Sequence, residues 1–169
     1  MKRAIGKIAS IIGSSKNIDF KFVQSCEVYC HQKSNRALVA KQFNHAGLTA
    51  DQPDGIVEVP FLDTDQLATS ICSALKDCIF EPKFNYRDLK ASDWPAYKKS
   101  GEKTIKKFET DFIRLHIRGV NESNLSFQIT TGEIGDYGLC LKSSVGPRDD
   151  MGIAINHIVQ KYVWFKNSE

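Results

Sequence analysis

Along residues 111–131, DFIRLHIRGVNESNLSFQITT, apolar and polar positions alternate. Ile113, Leu115 and Ile117 interleave with Arg114, His116 and Arg118. Beyond the GVNESN turn, Leu125, Phe127 and Ile129 interleave with Ser126, Gln128 and Thr130. A period of two puts the two sets on opposite faces of a sheet, so this stretch predicts a β-hairpin with one apolar and one polar face. The apolar face needs a cover. Two segments, Thr64 to Cys78 and Asp149 to Tyr162, carry the helical spacing that can supply it. In the first, Leu67, Ile71, Ala74, Leu75 and Cys78 form one stripe behind a capping Asp63 or Thr64. In the second, Met151, Ile155, Ile158, Val159 and Tyr162 do so behind Gly146-Pro147 and the acidic pair Asp149 and Asp150.

The remaining elements follow from β-branched and aromatic enrichment and from turn formers. Asp19 to Cys30, DFKFVQSCEVYC, predicts a strand with a phase slip near Ser25 of the kind a bulge produces, and Ala37 to Phe43 predicts the strand that returns from it. His45 to Asp54, HAGLTADQPD, gathers turn formers and predicts a loop before a short strand over Gly55 to Phe61. Residues 80–101 mix aromatics with Pro82 and Pro95, which predicts an irregular connector with a short helix near Tyr86 to Leu89. The basic stretch after it fits one helical turn or the first part of the strand entering Asp111. Tyr137 to Val145 predicts a last strand, and Ile5 to Ile12 fits a short helix or a strand. Strand, cap, amphipathic helix and trailing aromatic occur in that order at Gly55 to Phe80 and again at Tyr137 to Phe165, a repeated packing solution with almost no identical residues. The sum is a single α+β domain over residues 1–169, a mixed but mainly antiparallel sheet built from hairpins with two helices packed on it.

Composition narrows the class. At 169 residues and 41% hydrophobic content the chain can bury a core without staples, and no apolar run approaches the roughly 20 residues of a membrane span. The basic start, MKRAIGKIASIIGSS, has a short, interrupted apolar segment and no small-residue cleavage site after it, which argues against a signal peptide. Cys26, Cys30, Cys72, Cys78 and Cys140 form no framework, a usage expected of a reducing cytoplasm. The net charge of +3 is unevenly spread: residues 1–50 carry eight Lys/Arg against two acids, and residues 51–80 one Lys against six acids.

Several groupings invite chemistry. Cys26, Cys30 and His31 have metal-ligand residue types, but positions four apart on a strand lie about 13 Å apart and no second pair completes a ligand set. His45, His116, Arg114 and Lys107 are the types a metal-independent nuclease uses, although nothing in the spacing joins them, and an alternating His116 reads more simply as part of a solvated face. No glycine-rich phosphate loop or nucleophile elbow is present in the sequence. The chain is therefore expected to be no enzyme and to need no metal or other cofactor. Lys98, Lys99, Lys103, Lys106, Lys107, Arg114 and Arg118, interleaved with Tyr97 and Phe108, form an alternative nucleic-acid surface, interrupted by Glu102, Glu109 and Asp111. Asp51, Asp54, Glu58, Asp63 and Asp65 form an acidic run that suits a basic protein partner through charge steering, where cap and turn chemistry is the plainer account.

The order of GIVEVPFLDTDQLATSICSALKDC, a basic SGEKTIKKFETDFIRLHIRG, the NESNLSFQI hairpin and a closing GLCLKSSVGPRDDMGIAINHIVQKYV resembles the immunity proteins of bacterial contact-dependent growth inhibition, the CdiI group, over residues 55–163. The resemblance implies a cytoplasmic protein that neutralises a cognate CdiA C-terminal toxin domain, commonly a nuclease, and catalyses nothing. On that reading the acidic run is the expected toxin-binding surface, and an RNA-binding module using residues 98–118 is the alternative. Nuclease inhibitors are often clearly acidic, so in a chain of +3 any charge match must be local.

Overall fold

The computed structural model describes residues 24–45, 48–80, 90–121, 124–130, 140–145 and 151–166. In chain order the elements are β1 (Gln24–His31), β2 (Ala37–His45), β3 (Leu48–Val59), α1 (Thr64–Lys76), β4 (Ile79–Phe80), α2 (Pro95–Ser100), α3 (Ile105–Asp111), β5 (Phe112–Asn121), β6 (Asn124–Thr130), β7 (Cys140–Val145) and α4 (Met151–Lys166). The fold is α+β. The sheet runs β3-β2-β1-β5-β6-β7 with antiparallel pairings, and the two-residue β4 adds a parallel pair to the end of β2.

The hairpin predicted from alternation is β5–β6, registered Leu115↔Ile129 and Ile117↔Phe127, with Ile113, Leu115, Ile117, Leu125, Phe127 and Ile129 all buried on one face. Against that face pack α1 and α4, whose stripes Leu67, Ile71, Leu75 and Ile155, Ile158, Val159 complete the main core. Asp63 caps α1 by accepting from the Gln66 amide at 3.0 Å. Gly152 lets α4 come close to α1, because a Cβ there would stand 2.3 Å from the Thr64 carbonyl oxygen.

The second face is also covered, which periodicity did not predict. Residues in the connector form α2 and α3 and lay Ala96 and Phe108 against Tyr29, Leu38, Ala40 and Phe112, a smaller core flanked by Ile56, Trp94 and Tyr97. The phase slip at Ser25 has the same cause. Every residue from Ser25 to Cys30 is buried because β1 lies mid-sheet with both faces occupied, and its register with β5 runs unbroken from Gln24 to His31. No bulge is needed.

Other expectations shift. The loop predicted over residues 45–54 is mostly strand: β3 begins at Leu48 and pairs with β2 from His45↔Leu48 onward. Its turn formers are absorbed where the register passes from Gln42↔Asp51 to Ala40↔Ile56, an irregularity on an edge strand in which Pro53 has no ladder bond to lose. Residues 105–111 are a helix, capped by Thr104 on the Lys107 amide at 3.1 Å, rather than the first part of β5. The predicted short helix near 86–89, the N-terminal segment 5–12 and the start of the strand at 19–23 lie outside the described residues. No described helix is long and apolar enough to cross a membrane.

Candidate functional site

On the second face, where α2 and α3 stop, the polar residues of the hairpin meet a buried carboxylate from β1. Glu27 pairs across the sheet with His116, and Tyr29 with Arg114. The Glu27 side chain is 2% exposed, and its Oε1 accepts from Arg114 Nη2 at 2.9 Å and from His116 Nδ1 at 2.6 Å. Arg118 Nε donates to His116 Nε2 at 2.5 Å, so that nitrogen holds a lone pair and the ring proton sits on Nδ1, facing Glu27. The result is a chain of donors, Arg118 to His116 to Glu27, closed from the other side by Arg114. Burial alone would push the Glu27 carboxyl up; the His116 bond and the Arg114 charge outweigh it and hold the group below its ordinary value. Burial would pull the Arg114 guanidinium down, but the facing charge of Glu27 with its neighbours outweighs it and pushes the group up; the guanidinium lies 5.7 Å over the Trp94 ring.

A second, half-buried carboxylate adjoins this chain. Asp51 Oδ2 accepts from Tyr29 Oη and Trp94 Nε1, each at 2.9 Å, and Oδ1 accepts from Gln42 Nε2 at 3.4 Å. Burial and the charge of Glu27 raise its pKa, and its three donors offset that only in part. The same surroundings raise the Tyr29 hydroxyl well above its usual range. Glu27 Oε2 and Gln42 Oε1 are buried acceptors with no protein donor among the described residues.

The five acidic candidates do not form one patch. Asp51 faces the interior as described. Asp54 is exposed in the irregular part of β3, and Asp65 is exposed in the first turn of α1. Glu58 takes a bidentate bond from Arg36 at 2.7 and 3.0 Å, while Arg36 also donates to the Ser100 carbonyl, tying α2 to the β2–β3 hairpin. Asp63 serves as the α1 cap.

The seven basic candidates divide similarly. Lys98, Lys99, Lys103 and Lys106 are exposed on and between α2 and α3, with Lys98 bonded to Asp93 at 3.2 Å. Lys107 is held by Glu102 at 2.7 Å and by Asp111. Arg114 and Arg118 belong to the Glu27 chain on the sheet. The ligand atoms of His31, Glu102 and Asp111 lie within 4.8 Å of one another, yet the Lys107 ammonium already neutralises both acids, so the chain supplies its own cation there. Cys26 and Cys30 sit in the main core, whereas the His31 ring packs on Phe112 at 4.9 Å, so these three do not converge on an ion. Burial raises both thiols, Cys30 to about 12. A groove of about 490 Å³ lies at the β1–β2 turn, floored by Phe61, Leu62, Ile113 and Val159.

Sequence reasoning singled out Arg114, His116 and Arg118 and missed Glu27, Asp51 as a half-buried acceptor, Tyr29 and Trp94. Glu27 had a signal: it is the one charge inside the apolar run SCEVYC, where a buried ion demands a partner. No such signal marked Trp94.

No protein-family model matches the chain. No curated protein matches it either. Among solved structures the fold is shared with a protein of unknown function from Neisseria meningitidis, at TM-score 0.60 and 12% identity over 86% of this chain and 98% of that one. It is shared also with a chain of the CdiA-CT/CdiI toxin and immunity complex from Yersinia pseudotuberculosis, at TM-score 0.53 and 14% identity over 82% of this chain and 97% of that one.

Proposed function

We propose that the chain is an immunity protein that binds a CdiA C-terminal toxin domain in the bacterial cytoplasm, neutralises it by occlusion, and catalyses no reaction. The observation that carries this reading is the likeness in fold to a chain of a toxin and immunity complex. The polar face supports it in a second way. Both ring nitrogens of His116 are engaged, one by Glu27 and one by Arg118, which leaves neither to exchange a proton with a substrate. A sheet packed on both faces is also a stiff support, and binding to a preformed surface avoids the cost of ordering it.

Co-expression with the toxin domain encoded beside it tests the reading. The expected outcome is a complex that survives purification and cells that survive toxin induction, with His116→Ala retaining at least part of the protection. Absence of both complex and protection overturns it, and loss of a hydrolytic activity in His116→Ala would replace it with an enzyme.

A further inference from the structure

Arg118 differs from the other basic groups of the site. Arg114 is matched by Glu27, Lys107 by Glu102 and Asp111, and Arg36 by Glu58. Arg118 is exposed, its bonded partner is an imidazole, and among the described residues no carboxylate stands against it. Its Nε is committed to His116, which fixes the guanidinium plane, and the side chain is exposed. The support beneath is rigid, because His116 is 20% exposed and is anchored on a buried carboxylate. Across the ladder from Arg118 stands Ser126, exposed and uncharged.

We propose that this open part of the sheet, centred on Arg118 and Ser126, is a docking surface for an acidic protein segment, with Arg118 gripping one carboxylate of the partner through its terminal nitrogens. Charge complementarity selects the occupant: a guanidinium fixed by His116, with no carboxylate against it among the described residues, pairs with a carboxylate in a planar two-bond geometry. A nucleic acid offers phosphates of the same charge, but its affinity for an open sheet also draws on exposed aromatic rings for base stacking. Beside Arg118 the face carries Ser126 and the half-buried Gln128, and the nearby Trp94 is covered by the Arg114 guanidinium. The surface thus lies away from the exposed acids Asp54 and Asp65. This rests on the immunity reading and reverses the charge expected of the toxin's contact region.

The test uses the full-length chain and the catalytically inactivated toxin domain encoded beside it. Variants are Arg118→Gln, which removes the guanidinium and its bond to His116, and Ser126→Glu, which changes no member of the Arg118–His116–Glu27 chain and presents a carboxylate to Arg118 from the chain itself, with wild-type unfolding midpoints required of both. Each should raise Kd by about 30-fold or more, the loss typical of an arginine anchor. Asp54→Lys and Asp65→Lys should stay within about threefold of the wild type, as peripheral charges do. Wild-type affinity in both Arg118→Gln and Ser126→Glu overturns the surface while the immunity reading stands. A wild-type chain that ignores the toxin but binds tRNA through Arg118 overturns both, as does one that binds neither.

Discussion

Glu27 is buried to 2% yet held ionised, because Arg114 and His116 both donate to the same oxygen. Such a carboxylate is stable only while its donors remain. Arg114→Met keeps an unbranched apolar stem and removes the charge; because the arginine is half exposed and His116 still donates to Glu27, it should cost about 1–3 kcal/mol at neutral pH. The pH dependence has a definite sign. In the wild type the Glu27 pKa is lowered from 4.5, so its contribution is present above that value and is lost as pH falls through the lower folded one. Without Arg114, a charge and a hydrogen bond that offset burial are lost, so the folded pKa rises above that of the wild type and protonation costs the variant less. The gap between variant and wild type should therefore narrow on going from about pH 7 to about pH 5, measured by denaturant unfolding at each pH. Asp51, whose raised pKa makes its protonated form the one the fold favours, is present in both proteins and adds the same trend to each. The alternation of Arg114, His116 and Arg118 was legible; that they converge on one buried acid was not, because it is strand pairing between residues 89 positions apart that brings Glu27 to His116.

The elements that sequence placed well are those whose signal is local. The α1 stripe and its cap are an example: Leu67, Ile71, Ala74 and Leu75 are buried as the spacing requires, and Asp63 accepts from the first turn. That assignment separates cap from interface. Asp63→Ala should lower stability by about 1 kcal/mol whereas Asp63→Asn should change it by only a few tenths, with both binding the toxin alike once folded. A contact role would instead make Asp63→Asn a binding defect in a stable protein. Residues 45–54 show the limit of local signals. Pro53 and Gly55 are turn formers, yet an edge strand with an irregular register accommodates both, and the close approach at Gly55, 2.9 Å from the Lys41 Cβ to an added Cβ, marks where the chain must pass. The α2–α3 connector was opaque for a related reason. Its helices are short, and what holds them is Phe108, wedged among Tyr29, Trp94, Tyr97 and Phe112 at ring distances of 4.9 to 6.0 Å.

At the scale of the molecule, two cores share one sheet, and that predicts a single cooperative transition. Ile71 lies fully buried in the main core and Trp94 borders the other. In a Trp164→Phe background, Ile71→Ala should cost about 2–5 kcal/mol and move the Trp94 fluorescence midpoint by the same amount as the circular dichroism midpoint. Separate midpoints would mean that the faces melt independently. The alternating and helical periods and a capping Asp determined by themselves that this is an α+β protein with a sheet and two principal helices, because each of these is written in residues a few positions apart. Only the tertiary structure decided which acid stays charged, which arginine meets no carboxylate among the described residues, and that the polar face is half covered. Those outcomes depend on β1 pairing with β5, a contact between residues about ninety positions apart that no local pattern encodes.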